Sequence, residues 1–341
     1  MSEAVDFLIV GGGISGRLLQ LELEHRGVST LVYDNAKGNS SSIVAAGLAN
    51  PLVGKFFTIG WRATEFFADL DGYYSEIENR LESSFFRPCA MNRIISSAGE
   101  QNIWLSKAHQ GKYVGFCHFV DKTIEGIRSP FGMLEVQKGG ELNTVNFLSA
   151  CANKLSTVDD VFQISELNPS TKTYKDIHYD KIVFCEGIEV SDNPLFRDVI
   201  EVVPTKGELL EIETDLQPNG DIYLGGVFMQ HLYDKRWRIG STYQVNDRTL
   251  NPTEMMREDL TVKLERTLDL PYQVVNQVVG IRPASLDRKP ILGEHPNIKD
   301  VYIVNGMGSK AVSLAPLLTK EMCDFMLNDT PLHTEIDINR F

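Results

Sequence analysis

The feature that most constrains the fold of this chain is a glycine-rich run that directly follows an apolar one near the N-terminus. Residues 7–10 form a short continuous apolar run stopped by glycine, which is typical of a buried strand. The apolar spacing over residues 14–26 predicts a largely buried helix closed by Gly27. A second strand is predicted at residues 30–33, so the start of the chain indicates a βαβ unit.

Three glycines in this unit, Gly11, Gly13 and Gly16, have the GxGxxG spacing. The first allows a tight turn, the second lets backbone approach a pyrophosphate, and the third lets the helix pack closely on the strand. The helix N-terminus offers free N–H groups to the phosphates. Asp34 can accept hydrogen bonds from ribose hydroxyls, and Asn35 follows it in place of an arginine that would favour a 2′-phosphate. The unit predicts a dinucleotide site rather than a purely structural turn, and it leaves NAD and FAD both open.

A second strand, glycine turn and helix are predicted near the C-terminus. Residues 301–304 form an apolar run, Gly306 and Gly308 follow it, and a helix is predicted from residue 309 or 310 to about residue 327. Earlier in the chain, residues 45–51 are mostly small, which suits either a flexible loop or backbone that approaches an extended cofactor. Only one GxGxxG stands in a strand–helix context, so a flavin reduced directly by an organic substrate is favoured over a second nucleotide unit for NAD(P)H.

Composition excludes several classes of function. With 33 Lys and Arg against 46 Asp and Glu, the formal charge is −13, so nucleic-acid binding is expected only with a partner that supplies basic surface. A hydrophobic content of 43% indicates a globular chain, and no run of about 18 apolar residues predicts a membrane span. The five cysteines lack metal-ligand spacing, so no metal site is predicted, and the expected location is the cytoplasm.

The chain resembles the superfamily of FAD-dependent amino-acid oxidases, which includes glycine oxidase, D-amino-acid oxidases and sarcosine oxidases. The matching segments follow the family order over nearly the whole chain: the βαβ unit, residues 45–51, 139–140, 181–187, 238–242, 280–283 and 290–293, and the C-terminal glycine turn. Residues 51–55 and 306–310 most resemble the FAD domain of the bacterial bifunctional enzymes that modify the wobble uridine of tRNA.

The resemblance implies an α/β fold in which a Rossmann-like FAD-binding domain is interleaved with an α+β substrate domain built on an antiparallel sheet. The FAD-binding domain is expected to combine residues 1–58, 140–200 and 277–341, and the substrate-binding domain residues 59–139 and 201–276. Within these regions, residues 65–81 are predicted as one helix, and residues 161–164 as a strand that passes close to the adenine.

The glycine motifs and the resemblance together predict the residues that contact FAD, which is expected to be bound non-covalently because position 282 is not a cysteine. The predicted contacts are Gly11, Gly13, Ile14, Ser15, Gly16, Asp34, Asn35, Ser41, Ala46, Gly47, Val161, Gly187, Gly306, Gly308, Ser309 and Lys310. A helix start beside the isoalloxazine would stabilise the anion that forms on reduction, and Lys310 would add to this effect.

Two residues are predicted to serve the substrate. Arg282 lies in a Gly-x-Arg-Pro segment, where related oxidases hold a substrate carboxylate, although a structural arginine paired with Asp287 or Glu294 is the alternative. Lys55 resembles a lysine of the tRNA-modifying relatives and is either a catalytic residue facing the flavin or solvated surface. Phe228 stands where glycine oxidases tend to present a polar aromatic side chain, which leaves room for a bulkier or N-substituted substrate.

These features predict an FAD-dependent oxidoreductase that oxidises the C–N bond of an amino acid or N-substituted glycine by hydride transfer to the flavin. The electrons would then pass to oxygen or to an electron carrier. Two alternatives stay open, namely an oxidase component of tRNA wobble-base modification and a flavin-binding protein without catalysis.

Overall fold

The structure is a computed structural model that describes residues 3–35, 40–54 and 56–341. The described residues form 22 strands: β1 (Glu3–Val10), β2 (Thr30–Tyr33), β3 (Leu48–Ala49), β4 (Leu52–Val53), β5 (Thr58–Ile59), β6 (Phe86–Pro88), β7 (Met91–Ile94), β8 (Cys117–Val120), β9 (Met133–Val136), β10 (Gly140–Leu142), β11 (Thr157–Val158), β12 (Leu167–Asn168), β13 (Thr173–Tyr174), β14 (Ile177–Phe184), β15 (Val202–Thr214), β16 (Ile222–Leu224), β17 (Phe228–Tyr233), β18 (Arg236–Gly240), β19 (Gln244–Val245), β20 (Tyr272–Ser285), β21 (Ile291–Glu294) and β22 (Val301–Asn305). Over the same residues there are eight α-helices: α1 (Ile14–His25), α2 (Ser41–Val44), α3 (Ala63–Phe66), α4 (Leu70–Leu81), α5 (Ala98–Lys107), α6 (Thr144–Lys154), α7 (Glu254–Leu264) and α8 (Ala311–Asn328).

An eight-stranded sheet carries the two glycine turns. Its strands follow the order β11-β2-β1-β14-β13-β12, with β22 paired to β14 and β21 paired to β22. Strands β2, β1, β14 and β22 run parallel to one another, so their carboxyl ends meet at one edge. Residues 7–10 of β1 are all buried, as expected for a central parallel strand with helices on both faces.

A nine-stranded sheet forms the second layer. Its strands follow the order β19-β15-β18-β17-β16-β7-β9-β8, with β20 also paired to β15, and only the β7–β16 pair is parallel. Strands β15 and β20 pair over their whole length, from Val202–Ser285 to Thr214–Tyr272. The expected α/β class with a mainly antiparallel second sheet is therefore confirmed. The boundary predicted at residue 277 falls inside β20, which pairs with β15 of the nine-stranded sheet on both sides of this residue.

Two local predictions are wrong. Residues 161–163 have no regular structure and residues 164–166 form a 3-10 helix, because β2 already pairs with β11 and the Phe162 ring stacks instead on Tyr174 at 4.1 Å. The helix predicted over residues 65–81 is two helices, α3 and α4. The second begins afresh at Asp69, whose side chain caps it by accepting a hydrogen bond from the Gly72 N–H at 3.2 Å.

Candidate functional site

A central cavity of about 380 Å³ lies between the carboxyl edge of the eight-stranded sheet and the strands β15 and β20 of the other sheet. Residues from eight separate stretches line it: the β1–α1 turn, residues within 41–54, the residues just after β14, strand β15, Phe228 of β17, Ser241 after β18, strand β20, and the turn from β22 into α8. The two glycine turns predicted from sequence therefore face the same space. The cavity size is within the range usual for cofactor and ligand sites.

The first glycine turn has the geometry that the GxGxxG spacing predicts. Gly11 has φ +101° and donates its N–H to the Tyr33 carbonyl at 2.8 Å. A Cβ on Gly16 would overlap the Gly11 carbonyl oxygen, so this position needs glycine for α1 to approach the turn. Gly13 is the N-cap of α1 and lines the cavity together with Ile14 and Ser15. The turn thus brings free backbone to the cavity wall.

Asp34 and Asn35 directly follow β2 beside this turn and are partly buried. A Cβ on Gly12 would lie 2.7 Å from Asp34 Oδ2, so the carboxylate lies against the glycine turn. Neither Asp34 nor Asn35 is among the residues that line the central cavity. Their position at the end of β2 is compatible with the predicted ribose contact, which stays a prediction.

The small-residue segment also lines the cavity. Ser41, Ala46 and Gly47 all contribute to the wall. Gly47 has φ +71°, and a Cβ there would overlap the Leu142 carbonyl oxygen. The alternative of a flexible loop is therefore not what the structure describes, since strand β10 holds the segment closely.

The C-terminal glycine turn completes the wall. Gly306 has φ +74° and is buried, whereas Gly308 has φ +57° and faces open space, where a Cβ would meet nothing within 4 Å. Gly308 donates its N–H to the Pro283 carbonyl at 3.0 Å, which joins the turn to β20. Gly187, with φ +59°, also lines the cavity, and its carbonyl accepts a hydrogen bond from the Asn305 side chain at 2.9 Å.

Ser309 and Lys310 stand at the start of α8 and line the cavity with exposed side chains. Partial desolvation, together with the positive charges of Arg288 and Lys289, lowers the pKa of Lys310 below the usual range for lysine. A cation at this position is available to an anionic ligand.

Arg282 lies on β20 and points into the cavity, where it is half-buried. Its guanidinium donates to Ser241 Oγ at 2.8 Å and to the Thr242 carbonyl at 3.2 Å. Burial lowers the pKa of Arg282, although an arginine keeps its charge at neutral pH. No ion pair within the described part of the chain involves this residue.

The alternative in which Arg282 pairs with Asp287 or Glu294 is wrong. Asp287 forms an ion pair with Arg340 at 2.9 Å, and Glu294 accepts a hydrogen bond from the Asp300 N–H at 2.7 Å. A half-buried guanidinium with only neutral partners among the described residues is poised for an anion.

Two predicted residues stay untested. Lys55 lies outside the described residues. Val161 is 47% exposed and is not among the residues that line the cavity.

Sequence reasoning missed Gly207. This residue lies on β15 and lines the cavity beside Arg282, and a Cβ there would overlap the Arg282 guanidinium. No glycine motif marks it. The signal that could have found it is the pairing of β15 with β20, which places Thr205 opposite Arg282 and Gly207 opposite Gly280.

The side chains of Leu52, Leu209 and Phe228 also line the cavity, and we call these three residues the apolar wall. Phe228 does line the cavity, as its sequence position suggested, and it offers no hydroxyl. Burial raises the pKa of the Cys185 thiol, which also lines the cavity, so it stays protonated. The lining residues include no aspartate, glutamate or histidine within the described stretches.

The residues present fit an extended dinucleotide such as FAD. Gly13 and Gly308 both bring backbone to the cavity wall, with open space beside Gly308, and Lys310 supplies a positive charge. No group of acidic, histidine or cysteine side chains suited to a metal was found among the described residues. None of the described helices is both long and apolar enough to cross a membrane.

Comparison with known proteins gives three kinds of match. A family profile described as DAO, FAD dependent oxidoreductase, matches residues 6–325. Among curated proteins, the tRNA 5-methylaminomethyl-2-thiouridine biosynthesis bifunctional protein MnmC of Marinobacter nauticus is 21% identical over 93% of this chain. The chain spans about half of that relative, 54% of its length.

Several solved structures share the fold. Glycine oxidase from Geobacillus kaustophilus has a TM-score of 0.80 at 16% identity, covering 97% of this chain and 96% of its own. L-proline dehydrogenase from P. horikoshii has a TM-score of 0.79 at 14% identity, covering 100% of this chain and 98% of its own. Iminodiacetate oxidase from Chelativorans has a TM-score of 0.76 at 16% identity, covering 97% of this chain and 98% of its own. At these identities the likeness establishes the fold alone.

Proposed function

Since the chain belongs to the DAO family of FAD-dependent oxidoreductases, we propose that it oxidises the C–N bond of an amine that carries a carboxylate, either an amino acid or an N-substituted glycine. The oxidation removes two electrons and two hydrogens, converts C–N to C=N, and leaves an imine that water hydrolyses to a carbonyl compound and an amine.

The observation that carries this proposal is the state of Arg282. Its guanidinium lies in the cavity and donates to Ser241 Oγ and to the Thr242 and Lys206 carbonyls, all of which are neutral, and it has no carboxylate partner among the described residues. A planar guanidinium binds a carboxylate through two parallel hydrogen bonds, and these are stronger in a partly desolvated site. The substrate carboxylate is therefore the partner that the site lacks.

Binding the carboxylate fixes the orientation of the rest of the substrate. Gly207 leaves the space in which the guanidinium lies, and Ser241 and Thr242 hold its two terminal nitrogens. FAD, when bound, supplies the hydride acceptor for the carbon next to the substrate nitrogen. Orientation of the substrate in one pose is the main contribution that these side chains make to the rate.

The substrate nitrogen has to be neutral before its neighbouring carbon gives up a hydride. No carboxylate or imidazole in the described wall of the cavity is available to take the ammonium proton. The cations Arg282 and Lys310 instead disfavour a second positive charge nearby, so they favour binding of the neutral amine.

The apolar wall supports a substrate larger than glycine. Leu52, Leu209 and Phe228 present carbon surface with no hydroxyl to pair with a small polar group. An N-alkyl substituent or an apolar side chain would bury this surface, which stabilises the complex by about 25 cal/mol per Å². The electrons leave to oxygen or to an electron carrier.

Binding of simple carboxylates tests the role of Arg282. Acetate, titrated into the FAD-loaded protein, should perturb the flavin absorbance, and this change reports acetate binding. Arg282→Gln should weaken the affinity for acetate at least tenfold without lowering the FAD content. Acetamide, which lacks the charge, should bind equally weakly to both. Arg266→Gln removes an exposed arginine that does not line the cavity and serves as the matched control. An acetate affinity within twofold of the parent in Arg282→Gln would overturn the proposal.

A second candidate is oxidation of an amine attached to tRNA, and the match to the Marinobacter nauticus tRNA-modification protein over 93% of this chain favours it. The formal charge of −13 opposes unaided RNA binding, so a partner with a basic surface is required. A gel shift with unmodified and modified tRNA, with and without cell extract, distinguishes this substrate from a free amine.

A further inference from the structure

The backbone of residues 45–47, here called the alanine segment, is held by side chains of the nine-stranded sheet. Ala45, Ala46 and Gly47 all line the central cavity. Their three carbonyl groups are each engaged, by Arg238, by Gln230 and by the Leu142 N–H at 2.9 Å. Two of these three partners are polar side chains on neighbouring strands, where apolar residues would have sufficed for packing alone.

Gln230 contacts the segment from β17. It is only 6% exposed, and its Nε2 donates both to the Ala46 carbonyl at 2.9 Å and to Glu141 Oε2 at 3.0 Å. Its Oε1 has no partner among the described residues. Because both neighbours of the amide nitrogen are acceptors, the amide has only one satisfactory orientation. A buried amide oxygen without a partner costs free energy, so packing stability alone does not account for a glutamine at this position.

Arg238 contacts the segment from β18, directly across from Gln230 in the β17–β18 pairing. Its Nη1 donates to the Ala45 carbonyl at 3.3 Å, and its Nη2 lies 3.4 Å from Glu211 Oε1 on β15. The guanidinium is therefore fixed by a cross-strand ion pair while it contacts the segment. The two side chains together form a clamp, which we call the Gln230–Arg238 clamp.

The same segment carries two unused donors. The N–H groups of Ala46 and Gly47 have no acceptor among the described residues. Backbone N–H groups that stay unpaired beside a cavity are satisfied by water or by a ligand. The Ala45 and Ala46 carbonyls cannot turn towards the cavity without breaking the clamp, and the Gly47 carbonyl cannot do so without losing its hydrogen bond from the Leu142 N–H.

We propose that the Gln230–Arg238 clamp is a positioning device for the cofactor, which holds the alanine segment so that the Ala46 and Gly47 N–H groups donate to bound FAD. Gln230 and Arg238 thus act through the backbone and do not touch the amine substrate. The clamp also joins the nine-stranded sheet, which carries Arg282, to the part of the wall that receives the cofactor.

The affinity of the apoprotein for FAD, measured without any substrate, tests the clamp separately from the proposed amine oxidation. Gln230→Glu keeps the shape of the side chain, removes its N–H donors and places a second carboxylate against Glu141, so it should raise the Kd for FAD at least tenfold. Arg238→Ala should raise this Kd at least threefold. Each Kd is measured by fluorescence quenching of FAD on titration with apoprotein.

Arg236→Ala is the matched control. Arg236 lies two residues from Arg238 on β18 and forms the equivalent cross-strand ion pair, with Glu213 at 2.9 Å, but it does not contact the alanine segment. Its removal should leave the Kd for FAD within twofold of the parent value. Equal Kd values for the parent, Gln230→Glu and Arg238→Ala proteins would overturn the proposal.

Amide hydrogen exchange on the unaltered protein gives a second test that does not depend on how the variants fold. FAD should slow exchange of the Ala46 and Gly47 amides at least tenfold, because these N–H groups gain an acceptor. Unchanged exchange of both amides at saturating FAD would contradict the clamp.

Discussion

Arg282 and Gly207 show how one glycine determines where a charged side chain lies. A Cβ on Gly207 would overlap the end of the Arg282 side chain, which is flexible, rather than fixed backbone. The strand pair should therefore tolerate the extra methyl group while the guanidinium moves away from Ser241 and Thr242. The two residues are far apart in sequence, and only the β15–β20 register brings them together.

Gly207→Ala should weaken carboxylate binding at least tenfold and leave both FAD content and secondary structure unchanged. The physical reason is displacement of Arg282 without loss of its charge. The measurement is the acetate titration of the FAD-loaded protein, with Gly111→Ala as control, since a Cβ on Gly111 meets nothing within 4 Å. Parent affinity in Gly207→Ala would show that the guanidinium position is unimportant.

Glu186 is a second residue whose environment has a measurable consequence. Burial, with a smaller contribution from Glu189, raises the pKa of the Glu186 carboxyl to about 7, although Asn193 donates a hydrogen bond to it at 2.8 Å. The folded apoprotein therefore binds a proton that the unfolded chain releases near pH 4.5. Stability should fall as pH rises from about 4.5 to 7, since the folded state holds more protons in that window.

Glu186→Gln should raise the free energy of unfolding of the apoprotein at pH 8 by about 2–3 kcal/mol. Glutamine keeps the acceptor for Asn193 and removes the cost of a buried charge. At pH 5 the parent carboxyl is already protonated in the folded state, and the two proteins should differ little. Denaturant titrations at the two pH values measure this, and a constant difference would contradict the assigned cause.

At the scale of elements, the glycine turns were predictable because their requirements are local. Gly11, Gly306 and Gly308 have positive φ, and Gly16 gives the close helix approach that its motif position predicts. The strand predicted at residues 161–164 was wrong because its formation depends on an unpaired neighbouring strand. β2 is already paired with β11, and the local sequence pattern carries no information about this pairing. The break between α3 and α4 was missed because an aspartate within a predicted helix can also be an exposed polar residue. Only the structure shows that the Asp69 side chain caps α4 by accepting a hydrogen bond from the Gly72 N–H.

The close contact between helix α1 and the first glycine turn gives a prediction at this scale. Gly16→Ala places a methyl group against the Gly11 carbonyl, so α1 has to move away from the turn, and the protein should lose about 1–3 kcal/mol of stability together with FAD binding. Gly99 is also helical, in α5, and a Cβ there has ample space. Gly99→Ala should be neutral or stabilise by up to about 1 kcal/mol. Thermal unfolding with and without FAD measures both, and equal behaviour of the two variants would contradict the packing argument.

At the scale of the whole molecule, the cavity depends on both sheets. The eight-stranded sheet contributes the glycine turns, and the nine-stranded sheet contributes Arg282, Gly207 and the Gln230–Arg238 clamp. We propose the interleaved division into an FAD-binding and a substrate-binding domain as the functional meaning of this arrangement. The family and fold class could be predicted from motifs spread along the chain, whereas the identity of the amine could not, because it depends on the shape of a wall built from distant strands.

Anaerobic mixing of the FAD-loaded protein with paired amines tests the central claim most directly. One member of each pair carries a carboxylate, such as N-methylglycine or N-benzylglycine, and its partner has a methyl group in that position. We predict that at least one carboxylated amine bleaches the flavin absorbance, that its partner does not at the same concentration, and that Arg282→Gln abolishes the difference. Bleaching of equal rate by both members of every pair, or by neither member of any pair, would contradict the account.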